Sequence, residues 1–83
     1  MQTPDILEFV RREPFKPFRI TLTDGRTYEI HHPELAMVGV STVVIGVPAP
    51  NYADPVFQRA ITIDLAHIME AEALPTSISP KSN

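Results

Sequence analysis

The sequence predicts a mainly β protein, a small, bent, antiparallel barrel of five strands with an N-terminal α-helix. Three observations support it: a hairpin pattern at residues 18–30, further apolar runs separated by turn residues over residues 35–65, and a helix-start signal near the N-terminus. The 83 residues suit one domain, which we place at residues 1–75 and which is followed by a polar tail at 76–83 that we expect to be disordered.

The first residues carry the signals of a short helix over about residues 4–12. Thr3 offers a hydroxyl cap, Pro4 suits the first helical position, and Asp5 places a carboxylate at the positive end of the helix dipole. Pro14 ends the helix, because the residue before a proline is disfavoured in helical geometry. A helix this short is not stable alone, so we expect it to dock on one end of the barrel.

The hairpin at residues 18–30 determines the register of the first two strands. A two-residue Asp24-Gly25 turn would set Ile20 opposite Glu29 and bury charge beside the core. A three-residue loop with Gly25 in the left-handed conformation avoids this, and a one-residue slip would move every apolar side chain to the wrong face. The predicted pairs are therefore Phe18 with Ile30 and Ile20 with Tyr28.

The rest of the second strand, a third strand, a surface loop and a fourth strand follow. Leu35–Val38 resumes the second strand, and Val43–Val47 is continuous in β-branched residues, which indicates a well-buried strand. Pro48–Pro55 holds three prolines and predicts a loop in which Tyr52 is exposed. Val56–Leu65 is the fourth strand. Its predicted inward residues are Phe57, Ile61, Ile63 and Leu65, with Arg59 interrupting that face.

Residues 64–74 permit two interpretations. Propensity favours a helix capped by Asp64 and stopped by Pro75. Against this, the apolar stripe of that helix would end on Glu72. The alternative is one turn followed by a strand from Ile68 to about Ala73, and local physics leaves both open. In the strand interpretation the inward residues are Met69, Ala71 and Ala73.

Charge and composition argue against several classes of function. The net charge is −3, and a basic stripe of the kind that binds phosphates is missing, so nucleic acid is a possible but disfavoured partner. There is no cysteine, which suits a reducing compartment. No apolar run approaches the length of a membrane span, and Met1–Asp5 does not resemble a signal peptide. We expect a soluble, cytoplasmic protein that does not associate with membranes.

No catalytic or cofactor motif stands in the sequence, so we expect neither an enzyme nor a cofactor. His31 and His32, near Glu29 and Glu34, suggest a metal site. Neighbouring strand residues point to opposite faces, however, so we expect no metal there and place both histidines at the rim of the sheet. The candidate interaction residues are Tyr52, Arg59, His31 and His32.

The segment PFKPFRITLTDGRTYEIHHPE, residues 14–34, resembles a family of short, uncharacterised bacterial proteins. Those proteins share a Pro-Phe-x-Pro-Phe opening, a Leu-x-Asp-Gly-Arg turn and a His-Pro-Glu after the second strand. The later IDLAHI segment is similar to the last strand pair of that family. The resemblance covers residues 12–72 and implies no known activity.

More distantly, the order of helix, turn, bent second strand and terminal strand pair resembles the Sm-like barrel, a small barrel of the Src-homology-3 type. That resemblance implies rings built by edge pairing between subunits, RNA binding through loops, and a final turn plus strand. The RNA loop of that family carries an aspartate and a Met-Asn pair, whereas the corresponding Ala36–Val40 has neither.

These observations lead to two expectations for function. The first is a non-catalytic protein-interaction or regulatory module that acts through strand edges and the proline-rich loop, by binding a protein partner or by self-association. The alternative is an Sm-like ring protein that binds RNA.

Overall fold

A computed structural model describes residues 1–53 and 55–75. These residues form one α-helix and six strands, and the fold is mainly β, as predicted. The predicted disordered tail at 76–83 lies outside the described residues. The elements are α1 Thr3–Val10, β1 Phe18–Leu22, β2 Thr27–Ile30, β3 Ala36–Val38, β4 Thr42–Pro48, β5 Phe57–Asp64 and β6 Ile68–Ala73.

The strands form two antiparallel three-stranded sheets, ordered β2-β1-β6 and β3-β4-β5. A 3₁₀ turn at Pro33–Leu35 divides the predicted second strand into β2 and β3, and each half joins a different sheet. The described residues therefore form six strands instead of the predicted five. Among the described residues no ladder joins β5 to β6, so the pairing does not close into the predicted barrel.

The β1–β2 hairpin has the predicted bulged turn. Gly25 has a φ of +93°, and its N–H donates to the carbonyl of Leu22 at 2.9 Å. The Leu22 N–H in turn donates to the carbonyl of Arg26 at 2.8 Å, which closes the loop. The register pairs Phe18 with Ile30 and Ile20 with Tyr28, which confirms both predicted pairs.

Residues 64–74 form the turn and strand, not the helix. The Asp64 carboxylate accepts a hydrogen bond from the Ala66 N–H at 2.9 Å, and this caps a single 3₁₀ turn at Leu65–His67. Strand β6 then pairs with β1 and satisfies the main-chain donors and acceptors on the edge of β1 that faces away from β2. Pairing with a strand distant in sequence therefore outweighs the local preference for a helix.

The inward face of β6 differs from the prediction. Thr21 pairs with Glu70 and Leu22 with Ile68, so Met69 is an extra residue in the ladder. Ile68 is buried, whereas Met69 is 59% exposed and the prediction that it points inward is wrong. Of the other two residues predicted inward, Ala71 is half-buried and Ala73 is exposed.

The core lies where both sheets and α1 meet. Phe18 is its largest residue and is 1% exposed. The Phe18 ring lies 5.1 Å from that of Phe9 and 6.1 Å from that of Phe15, between ring centroids. The other buried members of the cluster are Ile6, Ile20, Leu22, Ile30, Ala36, Val43, Ile45, Ile63, Leu65 and Ile68.

Thr3 does not cap helix α1, which begins one residue earlier than predicted and ends at Val10. The capping residue is Gln2, whose N–H donates to the Asp5 carboxylate at 3.1 Å. The Thr3 hydroxyl lies 2.9 Å from the carbonyl oxygens of both Gly39 and Val40, so it ties the helix to the turn before β4. Within the described part of the chain, no helix is long and apolar enough to cross a membrane.

Candidate interaction surface

The sheet β3-β4-β5 has one buried face, and solvent reaches the other, which is apolar around Gly46. On β4, Val43 and Ile45 point into the core, so the alternate positions point outward. The large apolar residues that are exposed on this face are Met37, at 65%, and Phe57, at 55%. We define the outer face as Met37, Val44, Gly46, Phe57 and Ala60.

A shallow depression lies on the outer face at Gly46. A Cβ atom at this position would lie 3.0 Å from Leu35 Cδ2 and 3.1 Å from the Phe57 Cβ, so glycine permits the close approach of both side chains. The depression has a volume of about 130 Å³, and Glu34 is the charged residue among those that line it. Ligand pockets for small molecules occupy about 300–1,000 Å³, so this one is of a size for a single side chain.

Beside the depression, the proline-rich loop forms a more open hollow. The Ala49 N–H donates to the carbonyl of Val56 at 3.0 Å, which closes the base of the loop. Tyr52 is 68% exposed, as predicted. Phe57 lines both the hollow and the depression, so the two form one surface. The hollow is lined by Ala49, Pro50, Asn51, Tyr52, Val56, Phe57 and Gln58.

The four predicted interaction residues fall into two groups. Tyr52 and Arg59 belong to the β4–β5 hairpin, and Arg59 is exposed opposite Val47. His31 and His32 lie at the corner between β2 and β3, and His31 Nε2 is 3.2 Å from Glu29 Oε1. Of the four, only Tyr52 lines the hollow that Phe57 shares.

Phe57 is the main residue that the sequence analysis misplaced. Strict alternation puts Phe57 on the inward face with Ile61, but the ladder shifts between Val47 and Pro48. Because of this bulge, Phe57 pairs with Pro48 and lies on the outer face. The apolar residues at alternate positions of β4 are the sequence signal for this face, but a run rich in β-branched residues is equally typical of a strand buried on both faces.

The outer face of the sheet β2-β1-β6 is charged instead of apolar. The Arg19 guanidinium lies 3.2 Å from the Glu29 carboxylate and 3.6 Å from that of Glu72. Hydrogen bonds from His31 and Arg19 lower the pKa of Glu29. The two sheets therefore present chemically different outer faces.

Glu70 is expected to destabilise the fold at neutral pH. A hydrogen bond with Glu72 and repulsion from its charge raise the pKa of Glu70 above its ordinary value of 4.5. The folded state thus holds this proton more tightly than the unfolded state, so stability falls as pH rises through the folded pKa. Glu70→Gln should raise the melting temperature at about pH 7, and the gain should vanish below the ordinary glutamate pKa of 4.5.

Thermal unfolding followed by circular dichroism at both pH values measures this effect. Glu34→Gln, a substitution at an exposed glutamate away from Glu70, is the matched control and should show no such gain. A Glu70→Gln gain that is equal at both pH values would contradict the electrostatic explanation.

In residues 1–53 and 55–75, no group of three or more histidine, aspartate or glutamate side chains is placed to hold a metal ion.

Comparison of the chain with protein-family models, with curated proteins and with solved structures gives no match.

Proposed function

We propose that the protein is a non-catalytic interaction or regulatory module that binds a protein partner through its sheet edges and proline-rich loop. The observation that carries this proposal is the exposed outer face that continues into the loop hollow at Phe57. Single exposed apolar residues are common, but contiguous ones mark interaction surfaces.

The free edge of β5 supports the same proposal. β5 has eight residues and, within residues 1–53 and 55–75, is the outermost strand of its sheet, with β4 as its ladder partner. An unpaired strand edge presents main-chain donors and acceptors that an added strand can satisfy. β6 presents a second such edge in the other sheet.

Affinity capture with matched variants tests the proposal. The immobilised protein is exposed to a lysate of the cells that produce it, beside Phe57→Glu and Met69→Glu, whose parent side chains are similarly exposed. We expect a specific partner that Phe57→Glu loses and Met69→Glu retains. If no protein is enriched over an unrelated domain, and light scattering shows a monomer at high concentration, the proposal fails.

The strand order favours one alternative. With β2 and β3 taken as halves of one strand, the order is β6-β1-β2/β3-β4-β5, the order expected for the Sm-like barrel that the sequence resembles. A ring would then join β5 of one subunit to β6 of the next, in the cytoplasm, and would bind RNA. Light scattering with titration of a fluorescent oligoribonucleotide at two salt concentrations separates the proposals, because ring formation with salt-sensitive binding favours RNA.

A further inference from the structure

We propose that the depression at Gly46 receives one large apolar side chain of a partner protein segment, and that a basic residue next to that side chain pairs with Glu34. This inference rests on the proposed function and names the chemistry of the partner. It concerns only the outer face and says nothing about what binds the loop hollow or the strand edges.

The size and lining of the depression select its occupant. Its volume of about 130 Å³ is well below the roughly 300–1,000 Å³ of small-molecule pockets, which suits one side chain better than a whole ligand. Most of the lining is apolar, with Leu35, Met37, Val44 and Phe57 as its large residues. An apolar group that enters removes both its own surface and these walls from water.

Small residues keep the depression open. Gly46 and Ala60 are cross-strand partners, so two neighbouring positions on the outer face lack long side chains. A Cβ atom at Gly46 would already approach Leu35 and Phe57 to 3.0 and 3.1 Å. Glycine therefore lets Leu35 and Phe57 pack close to β4, where both line the depression.

Charge complementarity selects a basic neighbour. Glu34 is exposed and is the charged residue at the wall of the depression. The protein has a net charge of −3, which also favours a basic partner over an acidic one. Together these features define the partner segment: a large apolar anchor, such as phenylalanine or leucine, beside a lysine or arginine.

Three fluorescein-labelled peptides test this in a glycine–serine background. The first has phenylalanine flanked by lysines, the second phenylalanine flanked by glutamates, and the third serine flanked by lysines. We expect the first to bind about two- to fivefold more tightly than the second, the range for an exposed ion pair. It should bind about tenfold more tightly than the third, because the third lacks the buried anchor. Amide chemical shifts should change at Gly46 and Phe57.

Two substitutions and one control make the test specific. Glu34→Lys should reverse the order of the first two peptides. Met37→Gln should weaken binding of the first peptide several-fold, whereas Met69→Gln, at a similarly exposed methionine of the other sheet, should not. Circular dichroism verifies that each variant is folded, which is expected because all three parent residues are exposed.

Several outcomes would overturn the inference. One is that the three peptides bind alike or that none saturates, and another is that the shifts lie away from Gly46. A third is a dimer in light scattering that Met37→Gln dissociates, which would mean that a second copy covers the outer face. This inference can fail while the proposed function stands. That would be the result if a captured partner is lost by Phe57→Glu but retained by Glu34→Lys and Met37→Gln.

Discussion

Replacing Phe18 by alanine is expected to lower the free energy of unfolding by about 3–5 kcal/mol, the range for a large aromatic residue removed from a core. Phe18 is 1% exposed, packs on the rings of Phe9 and Phe15, and lies in the central strand of its sheet. A domain of this size has a total stability of roughly 4–12 kcal/mol, so this one substitution should remove at least about a quarter of it.

Urea unfolding followed by circular dichroism measures this loss. Phe57→Ala is the matched control, since it removes the same atoms from a residue that is 55% exposed, and its loss should be clearly smaller. Ile20→Val provides a milder core substitution, with an expected loss of about 0.5–1.5 kcal/mol, in case Phe18→Ala does not fold. Equal losses for Phe18→Ala and Phe57→Ala would contradict the assignment of the core.

Replacing Gly25 by alanine is expected to cost about 1–2 kcal/mol, because an L-residue with a side chain is strained at a φ of +93°. Apart from Gly25 and its two neighbours in the chain, no described atom lies within 4 Å of the position that a Cβ would take, so the cost comes from the backbone and not from a clash.

The same urea titration tests the turn with two comparisons. Gly25→Asn should lose less stability than Gly25→Ala, since asparagine tolerates the left-handed region better. Thr23→Ala, at an exposed position of the same turn, should change stability little. If Gly25→Ala is as stable as the parent protein, the bulged turn does not determine the register of the hairpin.

The first hairpin could be predicted from the sequence because its information is local. Apolar residues alternate on both sides of an Asp-Gly turn, and only one loop length brings Phe18 opposite Ile30. The strand from Ile68 could not be decided in the same way. Its partner, β1, lies near the other end of the chain, so local propensity contains no information about the pairing.

The outer face could be predicted only in part. Tyr52 was correctly expected to be exposed, because prolines exclude its loop from a sheet. Phe57 was placed inward because a bulge leaves no clear mark on the sequence, and one extra residue reverses the face on which a side chain lies. Met37 was overlooked because its strand has three residues, too few for an alternation to be recognised.

The position of β6 beside β1 has a consequence for how the chain folds. The β1–β2 hairpin and the β3-β4-β5 meander each pair strands that are neighbours in sequence, so both can form early. β1 acquires its second partner only after Ile68–Ala73 has been synthesised. During translation the second edge of β1 therefore remains unpaired until β6 leaves the ribosome, a period in which premature association with another chain is a hazard.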